Sequence, residues 1–206
     1  MDVFTVKQDC SAEFTEKKSL FIGHVFFVSE ESEAMEKIAA VKKEHAQATH
    51  NVWAYSLRKF SAQRFSDDGE PQGTAGMPVL AAVKNNGLVD VCVVVTRYFG
   101  GILLGAGGLV RAYTKAAVLA IDAAGQAPIV LLSHFRMVCG YDLYNSLLRV
   151  LESFGASVRE TVFLEKVTVT ASVRAENFDA LSAALREVGY RDLSVTELSR
   201  ECSRLV

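Results

Sequence analysis

Arg97, Arg111 and Lys115 surround five glycines, Gly100, Gly101, Gly105, Gly107 and Gly108, in the stretch RYFGGILLGAGGLVRAYTK. An apolar strand (VCVVVT), a glycine-rich turn and the start of a helix make a device for anions. Bare backbone N–H groups can approach a ligand, and the helix dipole adds about half a positive charge. Arg111 and Lys115 stand four apart on one helix face, where like charges cost about 0.2–0.5 kcal/mol and each cation opposes the dipole. A bound anion relieves that conflict. The candidate anion- or nucleic-acid-binding groups are therefore Arg97, Arg111 and Lys115 with the backbone of Gly100, Gly101, Gly107 and Gly108. Tyr98 or Phe99 would supply a ring to stack on a base. The competing reading is that the cations splay into water or pair within the chain, while the glycines only allow close helix–sheet packing. The spacing is neither GxxxxGK[ST] nor GxGxxG, so it is no P-loop and no dinucleotide fingerprint.

A second segment, RFSDDGEPQGTAGMP, puts Asp67, Asp68 and Glu70 within four residues. A magnesium ion with substrate phosphates could use such carboxylates. Asp-Asp-Gly is also an ordinary turn signal, and a turn, or internal pairing of these acids with Arg97 and Arg111, is preferred over a metal site. His50, Asn51 and Arg64 are expected to complete this supporting network. His50, in ATHNVWAY, is a candidate general base by residue type, since histidine is the side chain suited to that role near neutral pH. No nucleophile stands at a recognisable spacing from it, so no catalytic residue, metal or cofactor is assigned. His45 reads as a packed core histidine.

The elements that must position these residues divide at AAGQAP, near 126–129. Nine of the 14 glycines lie in residues 65–108 and only three beyond 125. A first domain over 1–126 is predicted to open with the strand-like VFTVKQDC and SLFIGHVFFV. A helix follows, capped by Ser29, with its apolar row at Ala34, Ile38, Val41 and His45. Then come the strand THNVWAYSLR, a polar segment, a short helix over 75–85, a strand over 88–96 and a helix over 107–124. That makes an α/β layer with the late helices on a mixed sheet. The second domain, 129–206, reads βαββαβ: IVLLSHFRMVCGY, DLYNSLLRVLESFG, a hairpin of ASVRETVF and EKVTVTASV, ENFDALSAALREVG, and a last strand YRDLSVTEL. This is the order of a ferredoxin-like sandwich. The fold class is α+β.

Half of the 206 residues are hydrophobic and 22% are charged, enough for a packed core. Lys+Arg against Asp+Glu is 13 to 14 in residues 1–125 and 9 to 10 in 126–206, so each part carries −1 and no basic tail announces nucleic acid. Four scattered cysteines without CxxC, no charged-then-apolar leader and no 18-residue apolar run are expected of a reduced, cytoplasmic protein away from membranes.

ATHNVWAY, RFSDDGEPQGTAGMPVL and VVVTRYFGGILLGAGGLVRAY, in this order and spacing, closely resemble the bacterial, YigZ-like branch of the IMPACT family over roughly residues 18–124. One departure is Val52, where many members carry cysteine. The resemblance implies an N-terminal domain like the second domain of ribosomal protein S5 and a C-terminal domain like the last domain of elongation factor G. Both folds occur in translation machinery, and eukaryotic relatives regulate the kinase that controls translation initiation. The expected function is thus a non-enzymatic, translation-linked regulator that binds RNA or a ribosome-associated protein. The alternatives are an enzyme acting on a phosphorylated small molecule or nucleotide, and a pure protein-interaction module.

Overall fold

The fold is given by a computed structural model describing residues 3–189 and 192–204. The chain forms two compact units, one holding the described residues to Ile129 with Arg204, the other Val130–Ser203.

In the first unit the elements run β1 (Phe4–Val6), β2 (Cys10–Glu16), β3 (Ser19–Phe27), α1 (Glu31–Glu44), β4 (His50–Leu57), β5 (Ala62–Ser66), α2 (Gly76–Asn85), β6 (Val91–Tyr98) and α3 (Ala106–Ala124). The sheet order is β2-β3-β6-β4-β5. The mixed sheet predicted from sequence is corrected, because every pair in this path is antiparallel. β3 and β4 are joined by the α1 crossover, as parallel strands are, but β6 inserts between them and runs against both.

Strand alternation sorts the two faces. Val91, Val93 and Val95 of β6, with Phe21, Val25, Val52 and Ala54, pack under α2 and α3. Cys92 and Val94, with Tyr55 and Leu57, pack under Ala34, Ile38 and Val41 of α1. The same parity sends Arg97 and His50 toward α3 and Tyr98 toward α1. In register, Phe21, Arg97 and His50 form one row across β3, β6 and β4. Helix α3 approaches the sheet closely at Gly23, where a Cβ would stand 2.3 Å from the Ala116 carbonyl oxygen.

Several local expectations change. VFTVKQDC is not one strand: β1 ends at Val6, and β2 carries the alternating CSAEFTE that sequence patterning left unassigned. β5, polar and mostly exposed, was likewise unread; an edge strand needs no apolar run. Helix α1 takes Glu30 rather than Ser29 as its N-cap, and the Ser29 N–H and hydroxyl donate to the Glu33 carboxylate at 2.7 and 3.1 Å.

The second unit holds most of β7 (Gln126–Cys139), whose first residues pair with β1, then α4 (Tyr141–Ser153), β8 (Ser157–Phe163), β9 (Val167–Arg174), α5 (Phe178–Gly189) and β10 (Leu193–Arg204). The order β10-β7-β9-β8 is that of a ferredoxin-like sandwich, with Phe135, Met137, Leu147, Leu151, Val169, Leu181 and Leu185 in its core. The start predicted for its last strand, Tyr190–Arg191, lies outside the described residues. No helix among the described residues is long and apolar enough to cross a membrane.

Candidate functional site

Asp67 organises the acidic loop. Its carboxylate accepts the N–H groups of Gly73, Ala75 and Gly76 at 2.9, 3.1 and 2.8 Å, satisfying the otherwise unpaired donors at the start of α2. Asp68 and Gly69 both have positive φ, so the chain reverses here, and the Glu70 N–H donates to the Asp67 carbonyl. The Asp68 carboxylate accepts from the Asn51 N–H at 2.7 Å and from Lys42 at 2.6 Å. Asn51 in turn accepts from Thr96, a buried bond of 2.7 Å.

The turn delivers Glu70 to the row of Arg97 and His50. Glu70 Oε1 accepts from Arg97 at 2.6 Å and from the Tyr113 hydroxyl at 2.7 Å. Glu70 is 8% exposed and Arg97 5%, so the pair is withdrawn from water. Burial first, and the bond to Glu70 second, raise the Tyr113 phenol well above its ordinary pKa, holding it as a donor. His50 Nδ1 donates to the Asp68 carbonyl at 2.8 Å, leaving Nε2 3.8 Å from Glu70. The Arg97 guanidinium also lies over the rings of Phe21 and Phe99 at 5.5 and 5.3 Å. Acidic loop and glycine loop therefore meet. Gly69, Glu70 and Pro71 of the one and Phe99, Leu103, Leu104 and Gly105 of the other line a common cavity of about 400 Å³, with His50 and Arg97.

Not every predicted residue joins this centre. Arg64 is exposed on β5 and donates to the Gln63 carbonyl, outside the network. The Tyr98 hydroxyl pairs with His45 Nδ1 at 3.0 Å on the α1 face, so it is not presented with the glycine loop. Arg97 and Arg111 do not converge. Arg111 and Lys115 line a neighbouring cavity of about 250 Å³ with Phe14, Glu16, Lys17, Leu104 and Gly108, and Leu104 is the wall common to both. The glycines divide similarly. A Cβ at Gly100 would sit 2.0 Å from Lys18 backbone, and Gly101 and Gly105 have positive φ, so these three serve the turn itself. A Cβ at Gly107 would meet only the Arg111 guanidinium, at 3.6 Å.

Tyr113, Lys42, Thr96, Phe14 and Lys17 escaped sequence reasoning. Tyr113, within VRAYTK, was visible only as an apolar helix position. Lys17 belongs to a hairpin turn whose strands had not been paired.

Fold and site define a two-domain α+β protein whose N-terminal sheet and α3 hold a buried acid–arginine pair beside an exposed basic cavity. The Impact N-terminal domain matches residues 17–121 and a domain of unknown function, DUF1949, matches 137–189. The chain is 38% identical to IMPACT family member YvyE of Bacillus subtilis, over 95% of this chain and 92% of that one. To IMPACT family member YigZ of Escherichia coli it is 45% identical over 47% of this chain and 49% of the relative. A solved structure described as a hypothetical protein superposes with TM-score 0.63 at 27% identity, covering 96% of this chain and 98% of the other. The chain belongs to the IMPACT family.

Proposed function

We propose that this protein is a translation-linked regulator of the cytoplasm that acts by binding single-stranded RNA through the α3 face of its N-terminal unit. The link to translation rests on the family; the choice of RNA rests on charge placement. Arg97 is compensated by Glu70 and belongs to the architecture. Arg111 and Lys115 are exposed, join Lys17 around one cavity, and none of the three has an ion-pair partner among the described residues. That uncompensated cluster, on a chain of net charge −2, is the observation that carries the reading. Phe99, exposed at the neighbouring cavity that shares Leu104, offers an aromatic face for a base.

Binding of a short single-stranded RNA measured across salt concentrations tests this. Charge neutralisation by the three cations gives a log–log slope of about −2, by the roughly 0.7 counterions released per charge neutralised on a single strand. Replacing Arg111 and Lys115 by glutamine should flatten the slope by roughly 1.4. Salt-independent binding, or full affinity in the folded double variant, refutes the reading in favour of a partner protein.

A further inference from the structure

The basic cavity carries a definite charge. Lys17, Arg111 and Lys115 against Glu16 leave a local balance of +2 in about 250 Å³. A phosphodiester inside a nucleic-acid chain carries one negative charge, whereas a phosphomonoester carries about −1.5 to −2 at neutral pH. We propose that this cavity receives a terminal phosphomonoester, the 5′-phosphate end of single-stranded RNA, an inference that rests on the RNA reading above.

Three independent features hold the cations in place. Lys115 Nζ lies 4.4 Å above the Phe14 ring, and Phe14 is itself stacked on buried Phe21 at 5.4 Å, so the ammonium is seated before any ligand arrives. Side chains on a helix lean toward its N-terminus, and the Arg111 guanidinium folds back along the first turn of α3, at an ordinary contact distance of 3.6 Å from where a Cβ at Gly107 would stand. Lys17 comes from the other side, on the two-residue turn between β2 and β3. Lys17 and Lys18 there have φ of 45° and 64°. Positive φ at both central residues is the requirement of a type I′ turn, for which Asn-Gly is the favoured pair. Two lysines hold this turn at a conformational cost, and one of them faces the cavity. The carbonyl end of Lys18 is fixed against Gly100, so the turn cannot swing away from the glycine loop without losing that close fit.

The experiment compares two ten-nucleotide RNAs of one sequence, one bearing a 5′-phosphate and one a 5′-hydroxyl, on the full chain. The phosphorylated end should bind about tenfold tighter, and millimolar inorganic phosphate should erase the difference. The advantage should shrink as pH falls through about 6, where the monoester gains its proton. In the Arg111→Gln/Lys115→Gln variant the two RNAs should bind alike. Equal affinity of the two RNAs for the unaltered protein overturns end recognition while leaving RNA binding intact. Absence of binding to either at low salt removes the RNA reading and this inference with it. A phosphoserine peptide that displaces the probe as well as the phosphorylated RNA does overturns the assignment to an RNA end.

Discussion

Two cavities share the side chain of Leu104 and treat arginine in opposite ways. In one, Arg97 is buried, bonded to Glu70 and close to two aromatic rings; in the other, Arg111 is exposed and, among the described residues, without an ion-pair partner beside two lysines. Adjacent cations in the sequence motif thus have different physical assignments. A buried charge must be compensated inside the fold, because removing it from water without a partner costs several kcal/mol. An exposed charge pays no such penalty and stays available to a ligand.

That contrast is broken hardest at Glu70. Glu70→Gln leaves Arg97 charged and buried, which should destabilise the chain by about 3–5 kcal/mol in chemical denaturation. Pairing it with Arg97→Met should recover much of the loss, since no unpaired charge is then left buried; a double variant as unstable as the single would show that the pair does more than cancel charge. Next is Asp67→Ala, which strips the acceptor from three backbone N–H groups at the start of α2. A loss of about 1–3 kcal/mol is expected from thermal or denaturant melts. The Lys17→Asn/Lys18→Gly variant should move the other way, gaining about 0.5–1 kcal/mol from a relaxed turn while weakening RNA binding. A variant that becomes more stable and keeps its affinity would remove Lys17 from the site. Smallest of all is the stability change in Arg111→Gln/Lys115→Gln, within about 0.5 kcal/mol, as befits exposed charges. A larger drop would mean that these cations, like Arg97, support the fold.

Much of the architecture was legible because periodicity reports burial. The βαββαβ order of the second unit followed from apolar spacing such as Leu147 and Leu151, and α3 from LVRAYTKAAVLAI. What escaped were elements whose partners lie far along the chain. β2 and β5 lie at the two edges of the sheet with few buried residues and become strands only by pairing with β3 and β4. At the site, the chemistry-bearing residues could be named from type and spacing, yet their grouping could not. Asp67, Asp68 and Glu70 look equivalent in sequence. In the fold one caps a helix, one anchors a strand and a lysine, and one compensates an arginine, according to where each oxygen lands after a left-handed turn.

The order of amino acids alone determined the two-unit α+β plan, the glycine-rich approach to α3 and the set of candidate charges, since these depend on local propensity and hydrophobic period. Tertiary structure alone decided which cations are spoken for. Alternation along β6 turns Arg97 inward onto Glu70 and Tyr98 to the opposite face, and the β2–β3 hairpin brings Lys17 to Arg111 and Lys115 across some ninety residues of chain. Compensation of charge is a property of distance in space, and no spacing along the sequence encodes it.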